Sequence, residues 1–191
     1  VLVSATTNNH SVHSEAKAPN DDSVFYRIDT SIRKMGDQFW RQSISFLRRK
    51  REKLKKTRCY ITIDETYDSY TGKLHKKNSG ELTKEEKIIK TYIHKYKPKN
   101  GDTGSFKYLV FALVYGNKRR VLRVKALKRK EKYKPFIVET LKEISKEIVF
   151  ECALFDRGFY DAKLIDDLQQ NNMPFIIRAK ISKKMKKIFG I

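Results

Sequence analysis

The chain is poor in cysteine, proline and glycine and has no long apolar run. Cys59 and Cys152 are the only two cysteines among 191 residues. Both sit inside apolar stretches, which suits small buried side chains in a reducing compartment better than a disulfide or metal role. The four histidines, His10, His13, His75 and His94, lack partners at zinc-ligand spacing, so a zinc site is set aside. No apolar run reaches the ~18–20 residues that span a bilayer. No strongly amphipathic helix with an aromatic-rich face points to a membrane surface. A charged n-region followed by an apolar h-region is missing at the start, so no signal peptide is expected. Glycine-rich nucleotide-phosphate loops are absent, and Gly101-Asp102-Thr103-Gly104 reads as a loop before a strand. No Ser-His-Asp set is legible, and no internal repeat of useful length occurs.

What the chain has in excess is positive charge. Lysine and arginine number 43 against 22 aspartates and glutamates, a formal net charge of +21. Such an excess attracts polyanions, and nucleic acid is the first candidate partner. Hydrophobic residues make up 39%, with ten tyrosines and eleven phenylalanines, enough for one substantial domain and a small appendage. The chain opens on Val1 and closes at Lys187-Ile188-Phe189-Gly190-Ile191 within an unfinished element, so both ends are expected to be cut.

Residues 1–57 form a basic helical region. Short helices fit around Val12–Ala18 and Ser23–Ile28, with Asp21 or Asp22 as a cap for the second. They read either as a piece of helix-turn-helix or as a frayed helical lead-in. Ile32, Met35, Phe39, Trp40, Ile44 and Leu47 recur at helical spacing over residues 31–58. Trp40 is most simply a core anchor, with base stacking as the lesser reading. Arg48, Arg49, Lys50 and Arg51 open a run that continues to Lys56. Such a run is either a solvated face or a set of phosphate contacts, and residues 1–57 as a whole are the candidate DNA-binding part.

From Arg58 the pattern turns to strands. Tyr60–Asp64 is followed by an insertion at about 66–105. There Thr83-Lys84-Glu85-Glu86 has capping-box spacing. Ile88, Ile89, Tyr92, Ile93 and Tyr96 fit a helix face, with a strand at Thr91–Tyr96 as the alternative. Phe106–Tyr115 and Arg119–Leu127 form a hairpin about Gly116-Asn117, the second strand alternating at Val121, Arg123 and Lys125. Pro135 starts a helix. Glu147–Asp156 is the next strand, Asp161 caps a helix closed by Asn171-Asn172, Met173–Ala179 is the last strand, and Ser182 caps a final basic helix. Three strands followed by alternation is the order of a ribonuclease H-like fold, a mixed five-stranded sheet with three antiparallel strands and then a parallel β-α-β. Residues 58–191 would form this core, incomplete at its C-terminus.

Two apolar strands end on aspartates, Ile61-Thr62-Ile63-Asp64 and Ala153-Leu154-Phe155-Asp156. A carboxylate there has no hydrophobic reason to exist. Two on neighbouring parallel strands, about 4.8 Å apart, would share a divalent metal. Metal-binding acids in a basic chain point to phosphodiester chemistry.

Tyr60-Ile61-Thr62-Ile63-Asp64-Glu65-Thr66, Tyr70-Thr71-Gly72-Lys73 and Asp156-Arg157-Gly158-Phe159-Tyr160 resemble DDE-type insertion-sequence transposases of archaea and bacteria. The resemblance covers roughly residues 58–185. It implies a catalytic core for DNA transposition that cleaves phosphodiesters and transfers strands at transposon ends with Mg²⁺ or Mn²⁺. Asp64 and Asp156 match the family's two catalytic aspartates. The family's glutamate lies after the fifth strand, and here no glutamate follows Glu151. The resemblance therefore suggests a fragment lacking the third acid, or a decayed copy. Glu65 and Asp68 lie near the first aspartate, but the glutamate's role is carried onto neither. Arg157 is expected to bind phosphate or pair with a neighbouring acid. Lys73 is expected to bind phosphate or stand as a solvated loop lysine. Expected partners are double-stranded DNA and a second copy in a synaptic complex, with no membrane, in the cytoplasm near the nucleoid. The alternatives are a catalytically inactive DNA-binding remnant and a different ribonuclease H-like nuclease.

Overall fold

The computed structural model describes residues 21–70, 89–94 and 103–179, with side chains from Gly36 onward. The elements are α1 (Asp21–Lys55), β1 (Cys59–Tyr70), β2 (Gly104–Tyr115), β3 (Lys118–Ala126), α2 (Lys134–Glu147), β4 (Cys152–Phe155), a 3₁₀ turn (Arg157–Phe159), α3 (Ala162–Gln170) and β5 (Phe175–Ile177). The strands form one five-stranded sheet in the order β3-β2-β1-β4-β5. β1 pairs antiparallel with β2, and β2 with β3, while β4 lies parallel to both β1 and β5. A mixed α/β architecture with one mixed five-stranded sheet was expected, and it is what the chain forms.

Alternation in β1 explains which face is covered. Cys59, Ile61 and Ile63 are buried, and across the β2 ladder Leu113 and Phe111 face Ile61 and Ile63. The pleat puts these residues on one side. Ile137, Leu141 and Ile144 of α2, Leu164 and Leu168 of α3, and Leu47 and Leu54 of α1 complete the same buried cluster. The last turns of α1 thus belong to the core of the sheet. Removing one such leucine from water is worth about 1.5–3 kcal/mol. On the other face Val121, Val124 and Ile176 keep 37%, 42% and 60% of their surface in solvent.

Local chemistry places the ends of the elements. Gly116 has φ 52°, a left-handed conformation that glycine adopts without penalty, and Tyr115 pairs with Lys118 across the two-residue turn. Pro135 sits in the first turn of α2. Asp161 caps α3 by accepting the Leu164 N–H at 3.1 Å. Asn172, with φ 51°, lets the chain leave α3.

Several elements differ from their sequence reading. The helix of Ser23–Ile28 and the helical pattern from residue 31 are one continuous α1. β1 does not stop at Asp64 but runs to Tyr70, because Glu65–Tyr70 pair with Leu109–Gly104 of β2. β4 starts at Cys152 rather than Glu147. Glu147 ends α2, and the Ile148 N–H closes that helix on the Ile144 carbonyl. A bulge between Phe111 and Ala112 breaks the alternation of β3, which buries Leu122 and turns Arg123 and Lys125 toward the helices. Residues 89–92 are helical, and His94 bridges Ser105 through two backbone hydrogen bonds of 2.8 and 3.0 Å. The expected helices at Val12–Ala18 and after Ser182, and the capping box at Thr83, lie outside the described residues.

Candidate active site

The parallel ladder of β1 and β4 runs Tyr60↔Cys152, Ile61↔Ala153, Thr62↔Leu154 and Ile63↔Phe155. Asp64 is the next residue of β1, and Asp156 directly follows the last residue of β4. Hydrophobic burial sets this register: Ile61, Ile63, Ala153 and Phe155 must all face the core, and a one-residue slip would turn one set outward. The two aspartates therefore follow the ladder side by side, at the carboxyl edge of two parallel strands. Ligands of open α/β sheets commonly bind at such an edge.

Both aspartates are exposed. Asp64 Oδ1 accepts the Glu65 N–H at 2.9 Å, and Asp156 Oδ1 accepts the Arg157 N–H at 2.6 Å. Among the described residues the second oxygen of each carboxylate has no partner. Free carboxylate oxygens suit a hard divalent cation, and Mg²⁺ commonly takes one or two carboxylates and completes its shell with water and phosphate. The donor set fits such an ion in part. No group of three or more His, Cys, Asp or Glu residues among the described residues could hold a metal.

Glu65 cannot join the aspartates, since neighbouring residues of a strand point to opposite faces. Its carboxylate is engaged on the helix side. Oε2 pairs with Lys107 Nζ at 2.6 Å and accepts the Tyr67 hydroxyl at 3.0 Å, while Oε1 accepts the Tyr133 hydroxyl. Lys107 Nζ also lies 5.4 and 5.5 Å from the ring centres of Tyr67 and Tyr133. Burial alone would raise the Glu65 pKa. The bonds from Lys107 and Tyr133 outweigh it and hold the carboxyl below its ordinary value. Burial, then the Glu65 carboxylate, pushes the Tyr133 phenol well up. The Tyr133 ring meets Phe159 edge-on at 6.3 Å, which ties the network to the turn after Asp156.

The other predicted site residues are dispersed. Arg157 opens the 3₁₀ turn, is exposed and makes no ion pair among the described residues. Lys73 lies outside the described residues. Arg48 grips Glu147 of α2 through Nε at 3.0 Å and Nη2 at 2.7 Å, and keeps 66% of its side chain in solvent. Arg49, Lys50 and Arg51 are exposed on α1. Asp68 is exposed on β1, four residues on from Asp64. Sequence reasoning missed Lys107, Tyr67 and Tyr133. Only the polar pair Lys107-Tyr108 inside an apolar strand hinted at the buried network.

Cys59 and Cys152 are free and buried, as expected. No described helix is long and apolar enough to cross a membrane. Compared with known proteins, the chain matches no family model and no curated sequence.

Proposed function

We propose that the chain carries the ribonuclease H-like core of a DDE-type insertion-sequence transposase, acting on double-stranded DNA at transposon ends. The observation that carries this reading is the placement of Asp64 and Asp156 immediately beyond Ile63↔Phe155, at one edge of two parallel strands. The strand order β3-β2-β1-β4-β5, with β1 central and shared between antiparallel and parallel partners, also supports it.

Asp64 and Asp156 would hold Mg²⁺ or Mn²⁺. When bound, such an ion neutralises phosphate charge and makes water or a 3′-hydroxyl a better nucleophile. The protein's own residues do the rest. The exposed edge lets a phosphodiester approach both carboxylates. Arg157 presents a guanidinium fork beside Asp156, suited to two phosphate oxygens. The Glu65–Lys107–Tyr133 network ties β1 beyond Asp64 to the Phe159 turn. Lys73 and the cations of α1 would add phosphate contacts. A second copy in a synaptic complex and a nucleoid location belong to the same reading.

A second reading is a DNA-binding remnant without catalysis, favoured by the absence, among the described residues, of any group of three or more His, Cys, Asp or Glu that could hold a metal. Cleavage of plasmids carrying the flanking inverted repeats, by the protein encoded by the whole element, separates the two. Loss of Mg²⁺- or Mn²⁺-dependent cleavage in both Asp64→Asn and Asp156→Asn is expected. Full activity in either variant would sink the proposal. Duplex binding without cleavage by the intact sequence selects the remnant. Calorimetric titration of Mn²⁺ into this chain gives a readout besides activity, and both variants should weaken the binding.

A further inference from the structure

Among the described residues, a concentration of unpaired charge lies at the other end of the sheet from the aspartates. Arg123 of β3 stacks on Trp40 of α1 at 4.5 Å, and Arg120 of β3 stacks on Phe46 at 4.1 Å. As α1 advances from Trp40 to Phe46, β3 therefore recedes from Arg123 to Arg120. The two elements run antiparallel in contact. Continuing by the same geometry, Lys118 lies about 6.6 Å beyond Arg120 along β3, and Lys50 lies about 6 Å beyond Phe46 along α1.

Side-chain direction brings these cations together. Phe46, Lys50 and Lys53 share one stripe of α1, spaced i, i+4 and i+7. Lys118 and Arg120 pair with Tyr115 and Leu113 of β2, and the pleat puts alternate residues of β3 on the same side. Lys50, Lys53, Lys118 and Arg120 are all exposed, and none has an acidic partner among the described residues. The opposite flank of α1 is arranged differently. There Arg48 is neutralised by Glu147 and Lys55 by Glu52, each at 2.7 Å.

We infer that this flank of α1 and the β2–β3 hairpin form a second nucleic-acid site, a grip for the phosphate backbone of a duplex. Four unneutralised cations in one stripe match a row of phosphates, whose charge recurs along the helix axis. The described carboxylates at this end are Glu52, paired with Lys55 at 2.7 Å on the other flank of α1, and Glu151, beside Cys59. Cys59 begins β1 at this end, opposite Tyr115 at the hairpin. Asp64 follows five residues later, about 17 Å away along the strand. The grip therefore anchors DNA away from the reacting edge. It goes beyond the proposed catalysis and stands whether or not the aspartates cut.

The test is the salt dependence of binding to a fluorescein-labelled DNA duplex two helical turns long, read by anisotropy. Lys118→Gln with Arg120→Gln, and separately Lys50→Gln with Lys53→Gln, should each lower the slope of log K against log salt by about 1.8, from ~0.9 per phosphate contact. Lys142→Gln with Lys163→Gln, charge-matched on α2 and α3, should leave the slope unchanged. Lys118→Arg with Arg120→Lys should retain it. In the unaltered protein, bound duplex should protect Lys50, Lys53 and Lys118 from acetylation, a readout that needs no variant to fold. Equal slopes for the grip and control pairs, or no protection of these lysines, would overturn the inference. So would tighter binding to phosphatidylserine vesicles than to the duplex.

Discussion

Replacing Glu65 by glutamine tests whether the network beside the aspartates holds the sheet edge together. The Glu65 and Lys107 side chains are each only 17% exposed, and the carboxylate lies 2.6 Å from Nζ. Glutamine keeps the size and one acceptor but leaves the ammonium unpaired. A hydrogen bond to a charged group contributes about 1.5–3 kcal/mol, and stripping one partner from a fully buried pair costs about 3–5 kcal/mol. With some solvent access on both sides, the expected loss is about 2 kcal/mol, which in a chain of this length lowers Tm by roughly 4–8 °C. Urea unfolding followed by the fluorescence of Trp40, the single tryptophan, measures it. Lys107→Met added to Glu65→Gln should recover more than half of the loss, because no charge is then left unpaired. The pH dependence has a definite sign. Glu65 titrates lower in the fold than its ordinary value of 4.5, so its contribution is present above that pH and disappears as pH falls through the lowered pKa. Lys107 is raised despite burial, through its bond to Glu65, so its contribution is present below 10.5 and fades as pH rises beyond. A loss smaller than about 0.5 kcal/mol, within the scatter of ordinary surface substitutions, or no coupling between the two positions, would refute the reasoning.

Arg123 lies between the rings of Trp40 and Phe136 and donates to Thr140 and Glu143, each at 3.0 Å. Arg123→Lys should lose about 1–2 kcal/mol, since lysine cannot both stack and fork, with a shift in Trp40 emission; unchanged emission and stability would count against this role. A Cβ on Gly104 would meet Ile93 Cγ2 at 2.5 Å and the His94 carbonyl at 3.1 Å. Gly104→Ala should cost roughly 1–3 kcal/mol and speed hydrogen exchange at the Ser105 amide, which bonds the His94 carbonyl. Burial, then Glu151, raises both cysteine thiols. Neither should react with a disulfide reagent in the native protein, and both should react once urea unfolds it.

The elements most legible in sequence were those whose signals are local. Gly116-Asn117 announced the hairpin, Asp161 and Asn171-Asn172 bounded α3, and Ile61-Thr62-Ile63-Asp64 marked the first half of β1. The second half of β1 was hidden, because Thr66, Asp68 and Ser69 carry no apolar alternation. Their strand form comes from pairing with β2, some forty residues away in sequence. The start of β4 was misplaced because Ile148 and Phe150 are as buried as strand residues, at 3% and 7%, while lying in a loop. The alternation of Arg123 with Val121 looked like one face of a strand until the bulge at Leu122 reversed it. Pairs such as Arg48–Glu147, ninety-nine positions apart, leave no trace in either local stretch.

Asp64 and Asp156 sit side by side but are held very differently. Asp64 lies within a long strand that continues to Tyr70 and is paired with β2 throughout. Asp156 is the point where the chain leaves the sheet, and its side chain caps the turn that leads into α3. One carboxylate is fixed within a strand paired along its whole length, and the other stands at the start of a turn and a helix. The gap between them is thus adjustable from one side only. Any displacement of α3 would widen or narrow that gap while Asp64 stayed in place.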